Sequence, residues 1–125
     1  MESAPHASNS LLLVEDEPLV ATVLADALEE SGYHVSLCGT GFDALNYLEM
    51  EDSIAAVVTD IGLGEGPDGW EVARRAREQF PDAPVIYITG RGAGAAAGQR
   101  VSESLILQKP FASKDLLLAL SRLLN

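Results

Sequence analysis

The chain has 125 residues, of which 19 are acidic and 8 are basic, and its formal net charge is −11. Binding to nucleic acid or to an anionic membrane surface requires clustered lysine and arginine, so this charge argues against both kinds of partner. No stretch reaches the roughly 18 apolar residues of a membrane span, and the single cysteine excludes an internal disulfide. We therefore expect one globular domain in the cytoplasm, with residues 1–9 as a short disordered leader and residues 10–125 as the domain.

Short apolar runs alternate with segments of helical periodicity along the chain. The first half predicts a strand at Leu11–Val14, a helix from Pro18 to the residue before Gly32, a strand at Tyr33–Cys38 and a helix at Phe42–Met50. The second half predicts a strand at Ile54–Thr59, a loop at Gly62–Gly69, a helix at Trp70–Phe80, and strands at Pro84–Thr89 and Ser104–Gln108. The final element is a helix at Ser113–Leu124, with Ser113 as its N-cap.

The segment Gly90–Arg100, between the last two strands, contains four glycines. Each glycine inside a helix costs about 1 kcal/mol. We therefore predict a loop that contains a short, weak helix.

Five strands alternate strictly with five helical segments in this prediction. Such alternation predicts a parallel sheet, because a crossover of this length returns the chain to the same edge of the sheet. Helices must then cover both faces. We therefore predict an α/β fold of three layers, a doubly wound (βα)5 arrangement around a five-stranded parallel sheet.

Ionisable or hydroxyl side chains lie at the ends of four of the five predicted strands. Glu15 and Asp16 follow the first strand and Asp60 follows the third. Thr89 ends the fourth strand and Lys109 follows the fifth. Since ligands bind beyond the carboxyl ends of parallel strands, we expect these residues to converge.

Three carboxylates that are crowded together repel one another unless a cation is present. The all-oxygen set of Glu15, Asp16 and Asp60 suits Mg²⁺. Such a site allows Asp60 to act as a nucleophile, since carboxylates form aspartyl phosphates. Mg²⁺ and Lys109 would neutralise the charge of the transferring phosphoryl group, and Thr89 would donate a hydrogen bond to it.

The motifs LLLVEDEP, VVTDIGLGEGPDGWE, VIYITG and LQKPF occur together at spacings that a known family shares. Over about residues 10–125 the sequence resembles the receiver domain of response regulators in two-component phosphorelays. The resemblance implies a flavodoxin-like sheet with strand order 2-1-3-4-5. It also implies that Glu15 and Asp16 form the acidic pair at Mg²⁺, that Asp60 accepts the phosphoryl group, and that Gly62 gives a backbone carbonyl to the metal.

The resemblance further implies how such a domain works. Thr89 and Lys109 would contact a phosphoryl group that a histidine kinase or a histidine phosphotransfer protein supplies. The domain would signal to an unidentified downstream protein through altered contacts, as a monomer or weak dimer. It would not be a conventional enzyme, because it would catalyse at most its own phosphorylation and slow dephosphorylation. The family places donor docking near the first helix, whose acids otherwise form a solvated face.

Two features depart from the family pattern. The position three residues before Lys109, where the family usually has an aromatic switch residue, is Ile106. The segment after Thr89 is rich in glycine and alanine. We therefore hypothesise that phosphorylation orders residues 90–100 instead of moving an aromatic side chain.

We therefore predict a stand-alone regulator that depends on Mg²⁺ and accepts a phosphoryl group. Three alternatives to it are open from the sequence. Within the same fold, the chain would be a receiver excised from a hybrid sensor kinase. A rival of another class is a phosphohydrolase with Asp60 as its catalytic nucleophile, although Ile61 and Gly62 follow Asp60 in place of the D-x-D pattern of such phosphatases. The run Gly92–Ala97 also matches the dinucleotide pattern G-x-G-x-x-A, but it follows the fourth strand rather than the first.

Overall fold

The computed structural model describes residues 9–90 and 98–124. Within them the strands are β1 (Ser10–Val14), β2 (His34–Cys38), β3 (Ala56–Asp60), β4 (Val85–Thr89) and β5 (Ser104–Gln108). The α-helices are α1 (Pro18–Glu30), α2 (Gly41–Met50), α3 (Gly69–Gln79) and α4 (Ser113–Leu124), and none of these four is long and apolar enough to cross a membrane. The predicted leader up to residue 8 lies outside the described residues. So do residues 91–97, which include the dinucleotide-like run and most of the segment in which a weak helix was predicted.

The five strands form one parallel sheet in the order β2-β1-β3-β4-β5. The predicted α/β class and the 2-1-3-4-5 order are therefore confirmed. β3 and β4, inside the sheet, are buried along their whole length, whereas β2 at the edge is partly exposed. The sequence predicts this difference in burial, because a parallel strand that is buried on both faces has a near-continuous run of apolar residues.

The two faces of the sheet pack against separate pairs of helices. On one face the core takes its helical members from α1 and α4: Leu24, Leu28, Leu116, Ala119 and Leu120. On the other face they come from α2 and α3: Ala44, Leu48, Trp70, Val72, Ala73 and Ala76. Val57 and Val58 of β3 belong to different cores, as expected from the alternate direction of side chains along a strand. The predicted three layers follow from this arrangement.

Local sequence signals set most helix ends. Thr40 and Asp68 cap α2 and α3, where their side chains accept hydrogen bonds from the backbone N–H groups of Asp43 and Glu71. Gly32 follows α1 with a φ of +101°, a conformation that glycine adopts without steric cost. The end of α1 at Gly32 was predicted from the sequence, whereas the capping roles of Thr40 and Asp68 were not predicted.

The prediction that Ser113 caps α4 is wrong. The helix begins at Ser113, so the capping position is Ala112. The carboxylate of Asp115 accepts a hydrogen bond from the Ala112 backbone N–H at 3.0 Å. An acidic side chain in the first turn thus satisfies a backbone donor at the helix start.

Strand β3 also differs from the prediction at both ends. It begins at Ala56 rather than at Ile54, and it includes Asp60. The acid is thereby part of the strand and not a residue beyond it.

The apolar periodicity of α1 and α2 includes three side chains that are exposed. Leu19 and Val23 on α1 are 83% and 58% exposed, and Phe42 on α2 is 60% exposed. Periodicity identifies an apolar stripe, but the width of the buried part depends on which elements pack against it.

Candidate functional site

Two neighbouring strands bring three carboxylates together at the carboxyl edge of the sheet. Val14, the last residue of β1, pairs with Thr59 of β3. Glu15, which follows β1, and Asp60, which ends β3, are therefore the next residues along the two neighbouring segments. Asp16 follows Glu15, and the ligand atoms of the three acids lie within 4.8 Å of one another. The acids that end the first and third strands therefore converge.

The carboxylate of Glu15 is buried at the base of this cluster. Its Oε2 atom accepts a hydrogen bond from the Glu17 backbone N–H at 3.1 Å. Its Oε1 atom lies 3.2 Å from Lys109 Nζ but has no aligned hydrogen-bond donor among the described residues. Burial, assisted by the charge of Asp60, raises the pKa of Glu15 to about 7, although the Glu17 N–H and Lys109 act in the opposite direction. The positive charge of Lys109 therefore does not fully offset the effect of burial on the ionised form of Glu15.

Asp60, at the end of β3, has a donor on each carboxylate oxygen. The backbone N–H of Gly62 donates to Oδ1 at 3.3 Å, and Lys109 Nζ donates to Oδ2 at 3.3 Å. The side chain is 11% exposed. Asp60 is thus an oriented carboxylate that keeps limited access to solvent.

Lys109 holds one ammonium group against three carboxylates. Its Nζ atom lies 2.8 Å from Glu17, 3.2 Å from Glu15 and 3.3 Å from Asp60. The Lys109 backbone N–H donates to the Thr89 carbonyl at 2.7 Å, which fixes the residue beyond β5. Burial lowers the pKa of Lys109, but its contacts with the carboxylates, Glu17 first, raise that pKa above its ordinary value. The ammonium form is therefore retained.

Glu17 is the member of this cluster that the sequence analysis missed. It stands two residues after Glu15 and directly before Pro18, the first residue of α1. That position is at the same edge of the sheet as the predicted acids, and this placement was the available signal. Its side chain forms an ion pair with Lys109, 92 residues away in sequence.

Thr89 and Gly62 lie beside the cluster. Thr89 is buried at the end of β4, and β4 is paired with β3. Its hydroxyl donates to the Gly90 carbonyl at 3.4 Å, while the Gly62 N–H contacts Asp60. These contacts test neither the hydrogen bond of Thr89 to a phosphoryl group nor the metal contact of the Gly62 carbonyl, so both roles stay predictions.

A close backbone contact at Gly69 holds the loop that follows Asp60. The Gly69 N–H donates to the Ile61 carbonyl at 2.8 Å. A Cβ atom at this position would lie 2.7 Å from the Ile61 Cα atom and nearer still to the Asp60 carbonyl oxygen. Glycine therefore allows α3 to begin directly against the strand end that carries Asp60.

An aromatic pair connects α3 with β4 behind the site. The rings of Trp70 and Tyr87 lie 4.7 Å apart between centroids, and the Tyr87 hydroxyl accepts a hydrogen bond from the Val101 N–H at 3.0 Å. Ile106 pairs with Tyr87 in the sheet and packs against the same core. Position 106 is not aromatic, as the sequence indicates, but an aromatic side chain is present at Tyr87 on the neighbouring strand, and this residue was not predicted to lie near the site. The hypothesis that phosphorylation orders residues 90–100 falls mostly outside the described residues.

Residues 11–121 match the family model of the response regulator receiver domain. The chain belongs to this family. The match includes β3, β5 and all of β1 except Ser10, and these are the strands beside the acids and the lysine. The resemblance carried by the four motifs is therefore confirmed.

Receiver proteins of known name are similar over most of the chain. The response regulator receiver protein CpdR of Brucella abortus (strain 2308) is 36% identical over 116 residues, which cover 91% of this chain and 95% of CpdR. The transcriptional regulatory protein TcrA of Mycobacterium tuberculosis is 40% identical over 117 residues, which cover 90% of this chain and 46% of TcrA. The chain thus spans nearly all of the first relative and about half of the second.

Solved receiver structures have the same fold. A response regulator receiver protein from Sinorhizobium medicae WSM419 is 40% identical, with a TM-score of 0.90 over 94% of this chain and 95% of that one. The receiver domain of the sensor histidine kinase PA1611 from Pseudomonas aeruginosa PAO1 is 30% identical, with a TM-score of 0.81 over 94% of this chain and 98% of that one. The second was solved with magnesium in its active site cleft.

The acids of this receiver domain fit a hard divalent cation. Glu15, Asp16 and Asp60 offer only oxygen ligands at mutual distances within 4.8 Å. One of these oxygens, Oε1 of Glu15, is buried without an aligned donor among the described residues. A cation would supply the direct contact that this atom lacks and would add to the positive charge of Lys109.

Proposed function

We propose that this receiver domain accepts a phosphoryl group on Asp60 from a histidine kinase or a histidine phosphotransfer protein. The observation that carries the proposal is the position of the Asp60 carboxylate, 3.3 Å from the Lys109 ammonium group and beside Glu15 and Asp16. Membership of the receiver family supports the same chemistry. The proposal applies equally to a stand-alone regulator and to the receiver of a hybrid sensor kinase, because both would use this site.

In the proposed reaction an Asp60 carboxylate oxygen forms a bond to phosphorus. The phosphorus–nitrogen bond of the donor phosphohistidine breaks, its electron pair stays on the imidazole nitrogen, and that nitrogen takes a proton from solvent. The transition state is loose and spreads negative charge over the phosphoryl oxygens, so it requires neutralisation of charge rather than a protein base. Lys109 already lies where it can supply one positive charge.

We propose Mg²⁺ as the cation, held by the carboxylates of Glu15, Asp16 and Asp60 and by the backbone carbonyl of Gly62. When bound, this ion would neutralise phosphoryl charge as a Lewis acid. The magnesium in the similar PA1611 receiver domain supports the choice. Thr89, at the end of the neighbouring strand, is proposed to donate a hydrogen bond to a phosphoryl oxygen.

The donor protein has a candidate docking surface beside the site. A groove of about 470 Å³ lies between the start of α1 and the loop before α4, and it adjoins Lys109. Its apolar lining residues are Leu19, Val20, Val23, Leu24, Pro110 and Phe111. Because an exposed apolar groove suits one face of an amphipathic helix, we propose that a helix of a cytoplasmic donor packs here, with its phosphohistidine directed at Asp60.

The downstream protein is proposed to bind along β5, the edge strand of the sheet, in a second groove that shares Pro110 and Phe111 with the first. A groove of about 980 Å³ lies between β5 and α4, with Ile106, Leu118 and Arg122 among its lining residues. Leu118 is 62% exposed there. An exposed apolar side chain next to a basic one suits a partner with an apolar and acidic surface.

Incubation with acetyl phosphate and Mg²⁺ is expected to add one phosphoryl group per chain. The substitution Asp60→Asn is expected to abolish the addition, because an amide is not a nucleophile for phosphorus under these conditions. Mass spectrometry of the intact protein measures the product. Peptide mapping then locates it.

The exposed Asp52 provides the matched control, and Asp52→Asn is expected to be labelled at the wild-type rate. Labelling of Asp60→Asn at that rate would contradict the proposal. Repeated turnover of a phosphomonoester by the wild-type protein would instead favour the phosphohydrolase reading, since a phosphoacceptor is labelled only stoichiometrically.

Asp16→Asn is expected to stabilise the metal-free protein and to abolish its stabilisation by Mg²⁺. Removal of one of three clustered carboxylates relieves repulsion of about 1 kcal/mol at an exposed position. Wild type is expected to gain about 1.4 kcal/mol in free energy of unfolding when Mg²⁺ is at about ten times its dissociation constant. Urea unfolding in chelator and in Mg²⁺ measures both effects.

Asp26→Asn, on the exposed face of α1, is the control for a general loss of charge. It is expected to keep the full response to Mg²⁺. Equal stabilisation of Asp16→Asn and wild type by Mg²⁺ would show that Asp16 does not hold the ion.

A further inference from the structure

Glu17 lies at the mouth of the site and makes the shortest of the three carboxylate contacts with Lys109, at 2.8 Å. Its side chain is 61% exposed, whereas those of Glu15 and Asp60 are 0% and 11% exposed. Glu17 therefore attracts the ammonium group from the solvent side, while the two buried acids attract it from the interior.

The side chain of Glu17 is not used to begin the helix. Glu17 occupies the N-cap position of α1 but makes no side-chain capping hydrogen bond there. Its backbone carbonyl alone accepts the Ala21 N–H, at 2.9 Å. Serine, threonine, aspartate and asparagine are the side chains that commonly cap helices. The ion pair with Lys109 is thus what orients the Glu17 carboxylate in the described structure.

We propose that Glu17 is a positioning residue, a displaceable counter-ion that competes with the incoming phosphoryl group for Lys109 and so slows the phosphorylation of Asp60. The ammonium group of Lys109 donates hydrogen bonds to Glu17 and Asp60 and lies 3.2 Å from Glu15. A phosphoryl oxygen that approaches Lys109 from solvent meets the Glu17 carboxylate on that side, and it gains a full contact with the ammonium group only when Glu17 releases it. Glu17 is the carboxylate that water can best solvate after release, because it is the exposed one.

This inference rests on the proposed function, since it concerns the rate at which Asp60 is labelled. Glu17→Gln removes the charge and keeps the shape of the side chain. Its rate of phosphorylation by acetyl phosphate in Mg²⁺ is expected to exceed the wild-type rate by about two- to fivefold, as befits the modest strength of an exposed ion pair.

Removal of any acid at this edge of the sheet also weakens the repulsion of an anionic phosphodonor. Glu65→Gln is the matched control, because Glu65 is exposed in the loop before α3 and forms no ion pair with Lys109 in the described part of the chain. At about 1 M salt the Debye length falls to about 3 Å, which screens long-range repulsion but affects a direct contact less. At this salt concentration Glu17→Gln is expected to stay faster than wild type, whereas Glu65→Gln is expected to match wild type.

A second test combines Glu17→Gln with Lys109→Ala. If Glu17 acts through Lys109, Glu17→Gln is expected to change the rate by less than about 1.5-fold in the Lys109→Ala protein at 1 M salt. If Glu17→Gln instead changes the rate by altering the stability of α1, the change in rate is expected to persist in the Lys109→Ala protein.

Three results would each overturn the inference: a Glu17→Gln rate no higher than wild type, an equal gain in Glu65→Gln at 1 M salt, or a gain that persists without Lys109. Any of them, obtained while wild-type Asp60 is labelled normally, leaves the proposed function intact. Absence of labelling in the wild-type protein would overturn the proposed function and the inference together.

Discussion

Lys109→Ala is expected to slow the phosphorylation of Asp60 by acetyl phosphate about 100-fold or more. Among the described residues Lys109 is the cation in contact with the acid cluster, and it donates to the Asp60 carboxylate at 3.3 Å. Removal of one preorganised group that neutralises transition-state charge commonly costs roughly 10²–10³ in rate. The rate is measured by mass spectrometry of the intact protein in saturating Mg²⁺.

Lys114→Ala is the matched control, since Lys114 is exposed on α4. Its rate is expected to stay within about twofold of wild type, because exposed substitutions away from a site have small effects. Circular dichroism at the assay temperature verifies that both variants are folded. A Lys109→Ala rate within about threefold of wild type would be incompatible with the proposed charge neutralisation.

Gly69→Ala is expected to lower the free energy of unfolding by about 3 kcal/mol, near the upper end of what overpacking usually costs. The added Cβ atom would lie 2.7 Å from the Ile61 Cα atom and 2.8 Å from the Asp60 carbonyl carbon. Both are backbone atoms, which cannot move aside without shifting the strand end or the start of α3. Because Asp60 would shift with them, its phosphorylation rate is also expected to fall, by about 100-fold for a displacement near 1 Å. Urea unfolding and the labelling assay measure the two effects.

Gly39→Ala is the control at the same edge of the sheet. Nothing lies within 4 Å of the Cβ position at Gly39, so its stability is expected to change by less than about 1 kcal/mol. Alanine has a higher helix propensity than glycine. Helix propensity alone would therefore make Gly69→Ala more stable than wild type, so a loss of stability in this variant would point to the close contact. A Gly69→Ala protein as stable as Gly39→Ala would refute the close contact.

The pattern of apolar residues was enough to predict most of the strands and helices. Leu11–Val14 and Val85–Ile88 are uninterrupted apolar runs, and each became a buried strand. The strand order could not be predicted from the apolar pattern. That pattern shows that strands alternate with helices, but it does not show the position of each strand in the sheet. The 2-1-3-4-5 order came from the family resemblance, and the structure confirms it.

The site was predictable to the extent that backbone position determines it. The proximity of Glu15 and Asp60 could be predicted because they lie at the ends of paired strands. The contact of Glu17 with Lys109 could not be read in this way, because it depends on how far two long side chains reach across the site. The prediction of a Ser113 cap failed because the helix begins at Ser113 itself, and the Asp115 carboxylate accepts a hydrogen bond from the Ala112 backbone N–H.

The two cores on opposite faces of the sheet share no buried side chain among the described residues. Substitutions in one core are therefore expected to add to substitutions in the other with little interaction energy. The layer of α1 and α4 can acquire new partner preferences without repacking of α2 and α3. After gene duplication, two copies of such a domain could diverge in the proteins that they recognise while they inherit the same proposed phosphoacceptor site.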